Sequence, residues 1–157
     1  MNLTCKDFED DYPDCTFCSQ GQEIVVKEKK RKYILKNATK QKVCKIRIDN
    51  CVITSYDQKK CDYLIIVCQG EDKKPESLYF VELKGKDLIK SVEQLTEMIE
   101  HWQAHITAKV FARTVLSKVN VPKTIETDAR VKKLRKLVKQ YQGNFDYGAI
   151  QYEKDKV

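Results

Sequence analysis

Two short apolar runs joined by a polar loop constrain the fold of this chain more than any other feature. Residues 62–68 have the sequence DYLIIVC, and residues 78–84 have the sequence LYFVELK. Continuous apolar runs of this length are typical of strands that are buried on both faces of a sheet. Residues 69–77 contain glycine, proline and charged residues, which predict a hairpin loop. We therefore expect an antiparallel hairpin at the centre of the molecule.

An alternating segment precedes this hairpin, and an amphipathic segment follows it. Val43, Ile46 and Ile48 are separated by polar residues within 43–53, which predicts a strand. Residues 86–103 carry apolar side chains at three- and four-residue steps, which predicts a helix with one buried face. The order strand, strand, strand, helix is therefore expected along the middle of the chain.

The later part of the chain predicts one more strand and one more helix. Residues 107–118 alternate again and predict a fourth strand. Residues 128–142 place apolar side chains on one helical face, with Asp128 or Thr127 suited to the N-cap and Gly143 to the position after the C-cap. Together the segments predict a mixed α/β (α+β) fold, in which helices flank a mixed central sheet.

The ends of the chain are less regular in pattern. Residues 1–22 are polar and contain cysteines, and we interpret them as an irregular arm before a single domain at 23–157. Residues 23–36 fit a strand or a helix, and the helix is favoured because Glu and Lys dominate the middle of the segment. Residues 145–152 predict a short edge strand.

The charge balance restricts the class of partner. The chain has 157 residues, with 30 Lys or Arg and 23 Asp or Glu, which gives a net charge of +7. Basic proteins favour polyanions, because Lys and Arg replace the counterions of phosphates. No apolar run approaches the roughly 18–20 residues that span a bilayer, and the first residues lack the apolar stretch of a secretory signal. We therefore expect an intracellular (cytoplasmic) protein without a membrane partner.

The basic residues are concentrated in two stretches. Residues 27–45 contain nine Lys or Arg, and the helix at 128–142 carries a basic face opposite its apolar face. Such faces suit phosphate backbones, although a solvated surface or a membrane-binding helix has the same pattern. The residues expected to contact nucleic acid are Lys29, Lys30, Arg31, Lys132, Lys133, Arg135 and Lys136.

An acidic pair lies at neighbouring ends of the two apolar runs. Asp62 opens the first run, and Glu82-Leu83-Lys84 closes the second. Side chains alternate across a strand, so Glu82 and Lys84 point to the same side, and the hairpin brings Asp62 beside them. Two carboxylates and the backbone carbonyl of Leu83 suit a hard cation such as Mg²⁺ or Mn²⁺. Lys84 is placed to orient or deprotonate an attacking water.

This arrangement resembles the PD-(D/E)XK (restriction-endonuclease-like) nuclease superfamily. The pattern is Asp62, nineteen intervening residues and then Glu82-x-Lys84, with Gly85 directly after the strand. The resemblance implies an αβββαβ core with a mixed central sheet, which the segments within 23–118 match in order. A C-terminal helix and a short strand would follow this core.

The resemblance also implies roles for individual residues. Asp62 and Glu82 would be metal ligands, and Lys84 would be the catalytic lysine. Many members also use a glutamine in the following helix, and Gln94 resembles that residue. Cys61 stands where the family often has a proline before the first acid.

Seven cysteines raise a separate question. The number is odd and no secretory signal is visible, so reduced thiols or metal ligands are expected rather than disulfides. Cys15 and Cys18 form a CxxC pair, and Cys5 lies upstream. With a fourth ligand from Cys44 or Cys51, these residues would bind a structural Zn²⁺. Plain reduced thiols are the alternative interpretation.

The sequence as a whole predicts a metal-dependent nuclease that hydrolyses phosphodiester bonds of nucleic acid, with DNA favoured over RNA. The alternative is a catalytically inactive nuclease fold, or a zinc-stapled module, that binds nucleic acid or protein. A homodimer and a separate partner protein are both left open by the sequence.

Overall fold

The computed structural model describes residues 2–70, 74–83, 87–118 and 121–157. This part of the chain contains three α-helices, which are α1 (Cys5–Asp11), α2 (Leu88–His101) and α3 (Ala129–Lys139). It also contains nine strands, which are β1 (Thr16–Ser19), β2 (Glu23–Glu28), β3 (Arg31–Lys36), β4 (Val43–Arg47), β5 (Tyr63–Val67), β6 (Ser77–Glu82), β7 (Lys109–Leu116), β8 (Phe145–Ala149) and β9 (Gln151–Lys156). No helix within these ranges is long and apolar enough to cross a membrane.

A six-stranded mixed sheet forms the centre of the molecule. Its strand order is β1-β4-β5-β6-β7-β8. The strands β4, β5 and β6 are antiparallel neighbours, whereas β7 is parallel to β6 and β8 is parallel to β7. Parallel neighbours need a crossover, and α2 and α3 provide the two crossovers. The mixed α/β class is therefore confirmed, whereas the specific restriction-endonuclease-like core stays a prediction.

Both faces of the central strands are covered. On β6, Leu78 and Phe80 face a core that the helices cover, whereas Tyr79 and Val81 face a second core under a smaller sheet. Because neither face meets water, both positions of the strand period can be apolar. This explains the continuous apolar runs and confirms the strands predicted from them.

The smaller sheet has the order β2-β3-β9 and occupies residues for which a helix was favoured. The helix predicted at 23–36 is wrong, because β2 and β3 form a hairpin there. Ile24, Val26, Tyr33 and Leu35 are all at most 4% exposed and pack on the central sheet. Burial of these alternate residues outweighs the helix propensity of the Lys and Glu residues between them.

The N-terminal segment is part of the main fold. Residues 1–22 were expected to be an irregular arm, but they contain α1 and β1. Thr4 caps α1 by accepting a hydrogen bond from the backbone N–H of Asp7 at 3.1 Å. Phe8 is fully buried with its ring 5.9 Å from that of Trp102, and β1 pairs with β4.

A buried ion pair joins the two sheets. Arg113 on β7 donates from Nε and Nη2 to the carboxylate of Asp155 on β9, at 2.7 and 3.0 Å. Tyr33 on β3 donates its hydroxyl to the same carboxylate at 2.6 Å. Burial, followed by the charge of Asp155, raises the pKa of Tyr33 well above its ordinary value, so the hydroxyl stays a donor at neutral pH.

The predicted helix at 128–142 forms as α3, but it ends differently from the prediction. Asp128 accepts from the backbone N–H of Arg130 at 2.8 Å, which confirms the N-cap. Gln142, with φ of 63°, adopts the left-handed conformation that was expected of Gly143. Gly143 is needed for space instead, because a Cβ there would lie 1.6 Å from the carbonyl oxygen of Val110.

We predict that Gly143→Ala destabilises the protein by about 1–3 kcal/mol or more, since the backbone of β7 would have to move. Gly21→Ala is the matched control, because a Cβ there meets only the Ser19 hydroxyl at 3.2 Å and the Glu23 carbonyl at 3.8 Å. Urea denaturation of both variants measures the difference. Equal midpoints for the two variants would show that the close approach at Gly143 is not a constraint.

Candidate metal-binding site

The two acidic residues lie side by side at neighbouring strand ends of the central sheet. Tyr63 of β5 pairs with Val81 of β6, so the next register position places Asp62 opposite Glu82. The backbone N–H of Asp62 donates to the carbonyl of Val81 at 3.1 Å, which continues the ladder to this position. By strand alternation, both carboxylates point to the face that the helices cover, as Phe80 does.

Both carboxylates converge on one backbone amide. The N–H of Leu83 donates to Oδ2 of Asp62 at 2.7 Å and to Oε1 of Glu82 at 3.1 Å. Asp62 is 2% exposed and Glu82 is 1% exposed. Burial of an ionised carboxylate is costly unless hydrogen bonds or opposite charges compensate for it. The arrangement therefore brings the carboxylate oxygens of two residues together in a largely buried site, and such oxygen ligands suit a divalent cation.

The neighbouring strand and helix complete the surroundings. Thr114 on β7 is fully buried and donates its hydroxyl to the carbonyl of Glu82 at 3.1 Å, which holds the end of β6 against β7. Ser91 in the first turn of α2 is also fully buried, and its Oγ has no hydrogen-bond partner among the described residues. A hydroxyl of β7 therefore contacts the end of β6, and α2 carries a buried hydroxyl in its first turn.

The roles of two of the predicted site residues stay predictions. Lys84 lies outside the described residues, as does Gly85, so the prediction for its side chain is not tested. Gln94 is half-buried on α2, and it forms no hydrogen bond with Asp62 or Glu82. The structure thus brings together Asp62, Glu82 and Leu83 from the predicted set.

The loop before Asp62 is attached to α2. The backbone N–H of Lys59 donates to Glu97 and its ammonium group donates to Glu93, both at 2.7 Å. Arg130 of α3 lies 3.5 Å from Glu93. The hydrogen bond and charge of Lys59, and then the charge of Arg130, lower the pKa of Glu93. These ion pairs were not foreseen, since the sequence does not show which loop meets which helix.

Cys61 is a buried free thiol next to the acidic pair. Its side chain is fully buried, and the sulfur is 3.4 Å from the carbonyl of Tyr63. Burial raises the pKa of this thiol well above its ordinary value, and the charges of Glu82 and Asp62 raise it further. Cys61 is therefore an inert, protonated side chain at neutral pH.

The basic residues of the β2–β3 hairpin lie at its tip. Lys29 and Lys30 are exposed, and Lys29 has a φ of 52°. The tip borders a cavity of about 310 Å³ that is also lined by Arg31, Ser117 and Ile150. The Nε of Arg31 and the Oγ of Ser117 are buried and make no hydrogen bond with any described residue. The polar atoms of these two side chains are therefore not accessible from the cavity, and its exposed basic groups are Lys29 and Lys30.

The basic face of α3 is partly neutralised by acids of the same chain. Lys133 lies 3.6 Å from Glu100, and Arg135 lies 2.7 Å from Glu126. Arg135 also donates to the carbonyl of Phe145 at 2.9 Å. Of the four residues predicted on this helix, Lys132 and Lys136 are the two that are left exposed without an ion pair among the described residues.

The cysteines differ from the prediction. Three disulfides join Cys5 to Cys68, Cys15 to Cys51 and Cys18 to Cys44, so reduced thiols were the wrong expectation for six of the seven. The predicted zinc set of Cys5, Cys15 and Cys18 is also separated, because Cys15 pairs with Cys51. Disulfides are characteristic of oxidising compartments, which counts against the expected intracellular location.

Some of the cysteines nevertheless form a cluster that could hold a metal ion. The sulfurs of Cys5, Cys44 and Cys68 lie within 4.8 Å of one another. The sequence could not show this cluster, because the pairing partners are 26 to 63 residues apart and meet only through the strand order.

Comparison with protein-family models, with curated proteins and with solved structures found no match. The chemistry of the residues described above therefore carries the assignment of a function.

We predict that an alkylating reagent modifies no cysteine of the native, non-reduced protein. Six cysteines are bonded, and Cys61 is buried with a raised pKa. After unfolding without reductant one thiol should react, and after reduction all seven should react. Intact-mass spectrometry counts the additions. Modification of Cys61 in the native state at neutral pH would contradict its burial.

Proposed function

We propose that the chain is a metal-dependent nuclease that hydrolyses phosphodiester bonds of nucleic acid, with DNA as the expected substrate. The observation that carries this proposal is the convergence of Asp62 and Glu82 on the backbone amide of Leu83, at 2.7 and 3.1 Å. The order of β4, β5, β6, α2 and β7 agrees with the resemblance to the PD-(D/E)XK nucleases. The finer assignment to that superfamily is part of the proposal.

The donor set fits a hard divalent cation. Asp62 and Glu82 offer carboxylate oxygens from adjacent strands, and Leu83 offers a backbone carbonyl next to them. Oxygen ligands of this kind suit Mg²⁺ or Mn²⁺ rather than a soft metal. Such an ion, when bound, lowers the pKa of a coordinated water and offsets charge on the phosphate.

Lys84 and Gln94 have supporting roles in this proposal. The resemblance gives Lys84, two residues after Glu82 in the sequence, the role of the catalytic lysine. Its ammonium group would orient the attacking water and stabilise the negative charge that develops on the phosphate. Gln94 is proposed to contact the substrate or the water, because α2 begins five residues after Leu83 and covers this face of the sheet.

The tip of the β2–β3 hairpin is the proposed contact for the phosphate backbone. Lys29 occupies a left-handed position at which Gly or Asn is normally preferred. A lysine at that position costs conformational energy, and such costs are concentrated at functional sites. The tip borders the same cavity as Ser117, which directly follows β7. Because β6 and β7 are parallel, β7 ends at the same end of the sheet as Glu82. The tip therefore lies toward the strand ends that carry Asp62 and Glu82, on the opposite face of the central sheet.

A second candidate is a non-catalytic module that binds nucleic acid or protein. Three disulfides staple the chain, and two basic residues of α3 are already paired with acids. These features suit a rigid binding domain as well as an enzyme. A structural Zn²⁺ at the cysteines belongs to the same proposal. Cleavage and metal binding at Asp62 and Glu82 separate the two candidates.

We predict that the wild-type chain cleaves nucleic acid in Mg²⁺ or Mn²⁺ and that a chelator abolishes the cleavage. Asp62→Asn, Glu82→Gln and Lys84→Ala should each lower the rate at least about 100-fold, as expected for lost metal ligands or a lost proton-transfer group. The measurement uses linear duplex, circular duplex, single-stranded DNA and RNA. Glu100→Gln, an exposed acid on α2, is the matched control and should keep full activity.

Metal binding is read separately by calorimetric titration of Mn²⁺. Binding that is lost in Asp62→Asn and Glu82→Gln but kept in Glu100→Gln supports the site, provided that thermal unfolding shows folded variants. Equal cleavage by wild type and Lys84→Ala would assign the activity to another site or protein. Nucleic-acid binding without cleavage and without Mn²⁺ binding would favour the non-catalytic module.

We predict that Lys29→Asn weakens nucleic-acid binding without destabilising the fold. Asparagine tolerates a positive φ better than lysine, so the free energy of unfolding should stay equal or rise slightly. The loss of one phosphate contact should reduce the slope of log affinity against log salt by about 1. Lys109→Gln is the control, because Lys109 lies at the opposite end of β7. Fluorescence anisotropy with a labelled duplex in chelator measures both, and equal affinities would exclude the tip as a contact.

A further inference from the structure

Four cysteines form one sulfur cluster near the end of the central strands that lies away from Asp62. The Sγ atoms of Cys44 and Cys68 are 3.7 Å apart, although each belongs to a different disulfide. The sulfur of Cys5 lies within 4.8 Å of both. Cys18 is bonded to Cys44, lies outside the group of three sulfurs that are within 4.8 Å of one another, and is counted here as the fourth member of the cluster.

The cysteines are presented by four different parts of the fold. Cys5 begins α1, Cys18 is on β1, Cys44 is on β4, and Cys68 directly follows β5. Cys18 and Cys44 are opposite each other in the β1–β4 register, and the Cα atoms of Cys5 and Cys68 are 6.2 Å apart. Cys5, Cys44 and Cys68 are at most 7% exposed. Backbone pairing holds Cys18 beside Cys44 and Cys68 beside Lys42, whereas α1 presents Cys5 next to Cys68.

We infer that Cys5, Cys18, Cys44 and Cys68 bind one Zn²⁺ as a tetrathiolate when the two disulfides are reduced. Four thiolates around zinc, each about 2.3 Å from the metal, are about 3.8 Å from one another in a tetrahedron. The 3.7 Å between Cys44 and Cys68 already matches one edge of that tetrahedron. The site is buried and has four protein ligands, as is typical of structural zinc.

A dithiol or a phosphine can serve as the reductant of the two disulfides. Each disulfide takes up two electrons and two protons, so the two disulfides become four thiols. Binding of one Zn²⁺ then releases four protons as the thiolates form. Oxidation of the four thiolates by a disulfide oxidant returns four electrons and releases the metal.

The surroundings give access to the cluster and define its donor set. A cleft of about 350 Å³, lined by Cys5 and Cys68, opens beside the sulfurs. Glu9 lies within 4.8 Å of the sulfurs of Cys18 and Cys44, but its carboxylate already accepts from Lys42 at 2.6 Å. The four sulfurs are therefore the ligands.

The Cys15–Cys51 disulfide serves as an internal comparison. Neither sulfur belongs to a group of three or more potential ligands among the described residues, so this pair has no means of completing a zinc site. The cluster is also independent of the proposed nuclease, since Cys68 is six residues beyond Asp62 along β5, which is roughly 20 Å of extended strand.

The test is a metal titration of the full chain after reduction with a phosphine. One equivalent of Co²⁺ should produce the visible absorption of a tetrahedral thiolate complex, and Zn²⁺ should displace it. Cys18→Ser and Cys68→Ser should lose this signal, whereas the double variant Cys15→Ser and Cys51→Ser should keep it.

Alkylation of the zinc-loaded wild type gives a readout that does not depend on a variant folding. Peptide mass spectrometry should show Cys15 and Cys51 modified and the four cluster cysteines protected. The inference is overturned if the reduced, folded protein gives no thiolate absorption with Co²⁺. It is also overturned if Zn²⁺ protects Cys15 and Cys51, or if the two cluster disulfides can be reduced only after the chain unfolds.

Discussion

The burial of both faces of β5, β6 and β7 is the constraint on which the rest of the structure depends. Helices cover one face and a three-stranded sheet covers the other. Polar side chains are therefore confined mainly to strand ends, and Asp62 and Glu82 occupy adjacent ends on the same face. The Arg113–Asp155 pair holds the covering sheet. Nε and Nη2 of Arg113 donate hydrogen bonds to the two carboxylate oxygens of Asp155. A buried pair of this kind adds little net stability, but loss of one partner leaves a buried charge and costs about 3–5 kcal/mol.

Much of the fold could be predicted because the spacing of apolar residues within a segment indicates which of its faces are buried. The apolar runs at 62–68 and 78–84 and the helical face at 86–103 agree with β5, β6 and α2. The segment at 23–36 was misinterpreted because its Lys and Glu residues favour a helix locally. Its burial against the central sheet depends on residues far away in the chain, which no local pattern contains.

Part of the candidate site could also be predicted from the sequence, and part could not. Asp62 and Glu82 could be predicted to meet, because one hairpin loop separates their strands and fixes which ends are neighbours. Gln94 could not be placed, since the rotation of α2 on the sheet is set by packing against β6, β7 and α3. The cysteine pairs depend on the position of β1 beside β4, a contact between the N-terminal segment and the middle of the chain.

The sulfur cluster and the acidic pair lie at opposite ends of one strand, and this links them physically. A shift of one residue in strand pairing would turn Asp62 away from Glu82, because side chains alternate between faces. Cys18 and Cys44 lock β1 against β4, and Cys5 and Cys68 lock the end of β5 against α1. The proposed tetrathiolate zinc would connect the same elements, since its four ligands are the same cysteines. The end of β5 that lies away from Asp62 is therefore held against α1 by the disulfide, and the proposed zinc would hold it in the same way.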